Sequence, residues 1–276
     1  MLPHTTITDS AAGPPPAHGS ASRTSLAAGD ILAVAGVLEL PTGPDPDDAL
    51  AALYAWPERT GTPFVRANMI ASLDGGCTVD GHSAGLGNPA DEHLFAVLRD
   101  LAEVILVGSG TARAEGYGSI RFDEIRRARR RRWGLPATPP PIAVVTGRGV
   151  DPESPLFTDT VTPPIVITTE VAAKTVPAGV QVIICGHDRV NLSDAVTALG
   201  VAGFSRIHCE GGPGLLGDLV AADLVDECCL TISPMLIGSR ATRLLPIPLA
   251  DAAQWELAAA RLDGNHLFTR YRRTVG

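Results

Sequence analysis

Short apolar runs recur along the middle of the chain and alternate with segments of helical spacing. The runs predict strands at 65–72, 104–108, 142–146, 165–169, 180–185 and 206–210. Several of these runs are four to six continuous apolar residues, which is typical of strands covered on both faces of a parallel sheet.

Helix signals lie between these runs. Asn88 followed by Pro89 is a strong helix start, and leucines follow it at helical spacing. The pattern also predicts helices at 45–56, 191–199 and 215–225, the second of them stopping at Gly200.

The C-terminal part has a different pattern. Segments 228–232 and 266–273 predict two strands with no clear helix between them, and alternation in the second indicates a half-exposed antiparallel pair. The predicted fold class is therefore α/β, a mostly parallel central sheet with helices on both faces and an antiparallel C-terminal edge. Residues 1–24, rich in Pro, Ala, Ser and Gly, predict a disordered tail, which leaves 25–276 as one domain.

Composition and charge exclude several classes of protein. The chain has 276 residues, of which 45% are hydrophobic, so it can fill a core. It has no run of about 20 apolar residues and no basic-then-apolar start, so the sequence predicts neither a membrane span nor a secretory signal. Five cysteines without a C-x-x-C pair predict buried thiols in a cytoplasmic protein, and no metal site.

The net charge of −8 also argues against a protein that coats nucleic acid. One segment, 126–132, carries six arginines and could form a nucleic-acid arm. It has no interleaved aromatic residues, so we interpret it as a solvated face and predict no nucleic-acid partner.

Two glycine-rich segments follow predicted strands and precede predicted helices. The first comprises Gly108, Ser109, Gly110 and Thr111, and the second comprises Gly211, Gly212, Pro213 and Gly214 after Glu210. Glycines allow the backbone to approach an anion, and free N–H groups at a helix start attract phosphate. Two such loops at strand ends suit one dinucleotide lying across the sheet edge, although each alone could be an ordinary turn and neither matches G-x-G-x-x-G in full.

Other polar residues also follow strands. Thr146 and Arg148, helped by Thr168, could hold the 2′-phosphate of NADPH, or could simply be polar loop residues. Asp74 could orient a ring nitrogen of a substrate or relay a proton, or could form an Asp-Gly turn with Gly75.

Several of these segments together resemble one protein family. They are 66–75, 107–111 with 115–117, 210–213 with 215–216, and 231–234 with 237–238. In order and over about residues 60–275, they resemble the reductase domain of bifunctional riboflavin-biosynthesis proteins, which has a dihydrofolate reductase-like fold. The resemblance is greatest to stand-alone, actinobacterial-type pyrimidine reductases. Asn68 and Gly85 depart from the family, which usually has lysine and tryptophan there.

The resemblance implies a cytoplasmic homodimeric enzyme that transfers a hydride from NADPH to the ribosylamino group of a pyrimidine, with the C-terminal strands as the dimer interface. It implies that NADPH is held by Thr111, Glu115, Thr146 and the segment Gly212, Pro213, Gly214, Leu215 and Leu216. It further implies that the substrate is faced by Ser83, Arg99, Arg121 and Glu210, with Asp74 beside the reacting rings. Residues 1–60 contain no cysteine for a deaminase zinc site, so we expect no deaminase activity.

Two other functions remain open at this point. A dihydrofolate reductase-like activity would pair Asp74 with a pterin and Arg99 or Arg121 with a carboxylate. A non-catalytic NADP-binding protein would hold the cofactor without turnover.

Overall fold

A computed structural model describes residues 38–42, 45–238 and 240–274. The predicted tail at 1–24 lies outside the described residues. So does the beginning of the predicted domain, residues 25–37.

Ten strands of the described chain form one sheet in the order β1-β9-β10-β8-β2-β7-β3-β4-β5-β6. Their bounds are β1 Leu38–Glu39, β2 Phe64–Ser72, β3 Val104–Gly108, β4 Ile142–Thr146, β5 Ile165–Thr168, β6 Gln181–Ile184, β7 Arg206–Cys209, β8 Glu227–Ser233, β9 Trp255–Asp263 and β10 His266–Arg273.

Strands β8, β2, β7, β3, β4, β5 and β6 pair in parallel, whereas β10 pairs antiparallel with both β8 and β9. The predicted α/β fold class is confirmed, including its antiparallel C-terminal edge.

The helices of the described chain are α1 Pro46–Leu53, α2 Pro89–Leu101, α3 Ser109–Ala114, α4 Glu124–Arg132, α5 Pro155–Thr158, α6 Glu170–Ala173, α7 Leu192–Val201 and α8 Pro213–Ala221. The predicted start of α2 is confirmed, since the Asn88 side chain caps the Asp91 N–H at 2.9 Å. The predicted stop at Gly200 is wrong. The helix continues to Val201, and Gly200 is packed so closely against Pro63 that a Cβ would lie 2.5 Å from its ring.

Apolar side chains fill both sides of the sheet. Helices α7 and α8 cover one face over β2, β3 and β7, and α1 and α2 cover the other face at β8 and β10. No helix in the described ranges is long and apolar enough to cross a membrane. Within the same ranges, no cluster of three histidine, cysteine or acidic residues could hold a metal ion.

The arginine run lies on α4, and our interpretation of it as a solvated face is wrong for half of its arginines. Arg129 and Arg130 are buried, and Arg126 and Arg129 both pair with the fully buried Asp100 on α2. Arg130 donates to the backbone carbonyls of Asp100 and Ala102. These bonds fix α4 against α2, which explains why a segment so rich in charge is ordered here.

Replacing Asp100 with asparagine should lower the free energy of unfolding by about 3 kcal/mol, because two arginines lose a buried charged partner. Urea unfolding followed by circular dichroism measures this change. The matched control is Glu124→Gln, which removes an exposed partner of Arg127 and Arg131 and should cost less than about 1 kcal/mol. Equal losses in the two variants would contradict the role of Asp100.

Candidate active site

A cavity of about 680 Å³ opens at the carboxyl ends of β2, β3 and β7. Its walls come from β2, from the segment before α2 and from one face of α2. The first turns of α3 and α8 and the segment 115–120 after α3 complete them. Ligands of open α/β sheets bind at this edge, because loops and helix N-termini converge there.

The two predicted glycine loops meet at this edge. The Gly108 N–H donates to the Gly211 carbonyl at 2.7 Å. A Cβ at Gly212 would overlap the hydroxyl of Thr111, so only glycine allows the loops to approach so closely. Gly110 and Gly214, in contrast, have open space beside them. The sequence therefore correctly predicted that these loops come together, and Thr111, Gly110, Gly212 and Pro213 line the cavity.

An ion pair forms one wall of the cavity. Arg99 of α2 donates from Nε and a terminal nitrogen to the two carboxylate oxygens of Glu210, at 2.6 and 2.7 Å. The Tyr117 hydroxyl donates to the same carboxylate at 2.5 Å. Burial opposes ionisation of Glu210, but Arg99 outweighs it and holds the pKa of this carboxyl below its usual value. Glu210 is thus a fixed, ionised acceptor at the cavity wall.

His208 lies behind Glu210, with Nε2 3.7 Å from the nearer carboxylate oxygen. Burial lowers the pKa of this histidine to about 4, so the ring is neutral near pH 7. Arg99 therefore supplies the charge that balances Glu210.

Ser83 and Glu115 lie together on another wall. The Ser83 N–H donates to Glu115 Oε1 at 2.8 Å, and both residues line the cavity. His82 Nδ1 lies 3.6 Å from the other carboxylate oxygen of Glu115. The structure thus brings together Ser83, Arg99, Thr111, Glu115 and Glu210, as the sequence analysis expected.

Thr146, Arg148 and Thr168 lie at the ends of β4 and β5, beside the cavity but outside its lining. The Thr146 hydroxyl donates to the Gly149 carbonyl at 2.7 Å, and the Thr168 hydroxyl donates to the Thr146 carbonyl at 2.7 Å. Both hydroxyls therefore bond to the backbone around the end of β4. Thr146 and Thr168 are buried, whereas the side chain of Arg148 is exposed to solvent.

Two of the residues expected to face the substrate, Asp74 and Arg121, also lie outside the cavity lining, as do Gly108, Ser109, Gly211, Gly214, Leu215 and Leu216 of the expected cofactor set. Asp74 accepts hydrogen bonds from the Ser72 hydroxyl at 2.5 Å and from the Gly238 N–H at 2.7 Å, which lower its pKa to about 2. It fixes the turn at Gly75, where φ is +78°, to the loop after β8. Arg121 is exposed and pairs with Asp159. Neither residue lines the cavity, so their expected roles beside the substrate gain no support from their positions.

Most residues of the cavity lining had no role predicted from the sequence, and four of them carry chemistry or a ring. Phe95 and Asp91 lie one and two turns before Arg99 on the same face of α2, a spacing that could have identified them. Tyr117 was part of the family resemblance but received no role. Asn68 lines the cavity from β2.

The RibD C-terminal domain family matches residues 63–269, which is most of the chain. The protein therefore belongs to this family. Its riboflavin biosynthesis protein RibD relative from Escherichia coli is 28% identical over 224 residues, covering 75% of this chain and 59% of that protein. The chain thus spans about three-fifths of the length of such relatives.

A shorter relative matches over most of its own length. The 2,5-diamino-6-ribosylamino-4(3H)-pyrimidinone 5′-phosphate reductase of Archaeoglobus fulgidus is 30% identical over 184 residues, covering 64% of this chain and 83% of that protein. Among solved structures, a pyrimidine reductase-like protein from Corynebacterium diphtheriae has a TM-score of 0.69 and 25% identity, covering 82% of this chain and 99% of that chain.

Replacing Tyr117 with phenylalanine should lower the free energy of unfolding by about 2 kcal/mol near pH 7, because the ionised Glu210 loses a hydrogen bond. Since the pKa of Glu210 is lower in the folded chain than the ordinary 4.5, the stabilisation is present above pH 4.5 and is lost as the pH falls below it. Urea unfolding of the wild type and the variant near pH 7 and well below pH 4.5 measures the difference in unfolding free energy. Tyr54→Phe, a core tyrosine whose hydroxyl makes no hydrogen bond within the described ranges, is the control and should show no such pH-dependent loss. A loss of unfolding free energy in Tyr117→Phe that is the same at both pH values would contradict a hydrogen bond from Tyr117 to an ionised Glu210.

Proposed function

We propose that this protein is an NADPH-dependent reductase that acts on a ribosylaminopyrimidine 5′-phosphate of riboflavin biosynthesis. The observation that carries the proposal is the cavity itself. It joins two touching glycine loops to a wall made of Arg99 and Glu210, in a chain of the RibD C-terminal domain family. The relatives named as reductases of such pyrimidines support the substrate class.

The glycine loops fit the phosphates of a dinucleotide. The N-terminus of α8 offers the backbone N–H groups of Gly212, Gly214 and Leu215, and the open space beside Gly110 and Gly214 leaves room for a ligand. Thr111 and Glu115 complete this side of the cavity. NADPH, when bound, supplies the hydride that reduces the ribosylamino group. The chain itself contributes binding, orientation and electrostatics.

The substrate would occupy the opposite side of the cavity. There Glu210 presents an acceptor that Arg99 and Tyr117 hold in place. The Phe95 ring lines the same wall, with the guanidinium carbon of Arg99 4.2 Å from its centroid on one face. Ser83 and Asn68 add polar groups from the segment before α2 and from β2. A fixed acceptor costs no reorganisation when the substrate binds, which is how such a site lowers a barrier.

The dihydrofolate reductase-like alternative gains no support from the cavity. Asp74, which would pair with the pterin, lies outside the cavity lining. Arg99 is neutralised by Glu210 and Arg121 pairs with Asp159, so neither arginine presents an unpaired charge to a carboxylate.

The first test is the oxidation of NADPH by purified protein that is offered a ribosylaminopyrimidine 5′-phosphate or dihydrofolate in parallel. We expect turnover of the pyrimidine. Turnover of dihydrofolate alone would replace the proposed substrate by a pterin. Binding of NADPH without turnover of either compound would rule out both named substrates, and it is the result that a non-catalytic NADP-binding protein would give.

Replacing Arg148 with alanine should raise KM for NADPH about tenfold and leave KM for NADH unchanged, because the arginine would contact the 2′-phosphate that only NADPH carries. Steady-state kinetics with both cofactors measures the change. Arg127→Ala, on the remote helix α4, should change neither constant. An equal effect of Arg148→Ala on NADPH and NADH would contradict the role.

We further propose that the protein is a cytoplasmic homodimer, with the face of β8, β10 and β9 as the interface. Leu257 on β9, Tyr271 on β10 and Cys228 on β8 are in register, so their side chains share one face. All three are partly or largely exposed, with Leu257 at 53%. An apolar row of this kind on an exposed sheet face favours association with a second copy.

Replacing Leu257 with glutamate should convert the dimer to a monomer, because a charge would be buried in the interface. Light scattering after size exclusion measures the mass. Val201→Glu, equally apolar and more exposed on α7, is the control and should remain dimeric. A wild-type chain that is monomeric at micromolar concentration would contradict the proposal.

A further inference from the structure

A second, smaller cavity opens at the other edge of the sheet. It has a volume of about 220 Å³ and lies at the amino ends of β2 and β7, where Phe64 and Arg206 are paired in register. The segment 56–63 before β2 forms most of its wall. Strand β7 has only four residues, and Glu210 of the candidate active site directly follows it. The two cavities therefore lie at opposite ends of one short strand.

Arg206 lines this second cavity, and its guanidinium has no partner in the part of the chain that the structure describes. The side chain is partly buried, and it makes neither an ion pair nor a hydrogen bond. Every other described arginine that is at least partly buried has one or the other. Burial lowers the pKa of Arg206. A guanidinium that has lost water without gaining an acceptor is costly, which indicates an acceptor from outside the chain.

The surroundings of Arg206 leave it as an uncompensated positive charge. Glu103 raises its pKa in part, whereas Arg59 and Arg66 lie close enough to lower it. Arg59 is paired with Glu103, and Arg66 is paired with the fully buried Glu227. Both neighbouring arginines thus have their own carboxylate, and Arg206 is the charge that remains.

Two acids also line this cavity, and neither neutralises Arg206. Asp226 accepts the Val65 N–H at 2.8 Å and lies 3.7 Å from a terminal nitrogen of Arg273, so its charge is already compensated. Glu58 is exposed and forms no ion pair within residues 45–238 and 240–274. Water and salt screen such an exposed charge.

Further donors surround the same space. The indole N–H of Trp56 is buried and has no acceptor among the described residues. The Trp56 ring packs against the Arg66 guanidinium, 4.0 Å from the ring centroid, and against the edge of Phe64. The hydroxyls of Thr60 and Thr62, 3.2 Å apart, also belong to the cavity wall. The wall thus combines an unpaired charge with several hydrogen-bond donors.

We propose that this second cavity binds a small oxyanion of the phosphate class, free or as the phosphate of an ester, with the Arg206 guanidinium as its main ligand. A guanidinium donates parallel N–H groups that match two oxygens of a phosphate. The cavity has room for this group, because a water molecule takes about 30 Å³ and a phosphate is only a few times larger. Water replaces lost hydrogen bonds, whereas an oxyanion also balances the charge. The site is separate from the candidate active site and does not depend on the proposed function.

The test is calorimetric titration of the full chain with inorganic phosphate, in a buffer without other polyvalent anions. We expect one phosphate to bind, and its binding to be at least about tenfold weaker in Arg206→Gln, which loses the charged donor. Arg127→Gln removes an exposed arginine of α4 and the same charge, so it should bind phosphate as the wild type does. Glu58→Gln should tighten binding, because it removes a negative charge from the cavity wall.

Two further measurements locate the site and identify the ligand. Phosphate bound at the glycine loops of the candidate active site would be displaced by NADP⁺ and retained in Arg206→Gln, and that result would overturn the proposal. Ribose 5-phosphate is titrated in parallel. Its binding, lost in Arg206→Gln, supports the site, and the tighter of the two compounds shows whether an ester or free phosphate is held.

A wild-type chain that binds neither compound would also overturn the proposal. So would equal binding by the wild type and an Arg206→Gln variant whose circular dichroism shows it to be folded. If Arg206→Gln does not fold, Glu58→Gln decides, because unchanged or weaker phosphate binding in that variant would place the anion elsewhere.

Discussion

The ion pair between Arg99 and Glu210 is the constraint on which the arrangement of the cavity depends. It joins helix α2 to the end of strand β7, and Tyr117 adds the segment after α3 to the same carboxylate. A buried carboxylate is tolerated only when such partners replace water. The Glu210 carboxylate follows β7 and takes its hydrogen bonds from α2 and from the segment after α3. The cavity wall therefore depends on all three segments being in place.

The same solution recurs away from the cavity. Glu227 is fully buried and pairs with Arg66, and Asp100 is fully buried and pairs with arginines of α4. Arginine suits these positions because its planar guanidinium donates several hydrogen bonds in fixed directions and stays charged when buried.

The fold was largely predictable from the sequence because parallel strands buried on both faces leave continuous apolar runs, and because glycine loops mark strand ends. Strand β9 was missed, since the alanines at 258–260 favour helix and only pairing with β10 makes them a strand. For the site, the glycine loops, Arg99 and Glu210 lie together at the cavity, and their functional roles stay predictions. The positions of Asp74 and Arg121 depend on bonds to the loop after β8 and to Asp159. The presence of Asp91 and Phe95 in the cavity lining depends on which face of α2 meets the cavity. Tertiary contacts of this kind leave no local pattern.

The most direct test of the proposed binding site is a crystal structure of the protein with NADP⁺ and a ribityl- or ribosylaminopyrimidine 5′-phosphate. We predict that the cofactor pyrophosphate contacts the backbone of Gly212 to Leu216, with the pyrimidine between Phe95 and the cofactor and within hydrogen-bond distance of Glu210. Cofactor or pyrimidine bound elsewhere on the molecule, with the cavity at the ends of β2, β3 and β7 empty, would contradict the account.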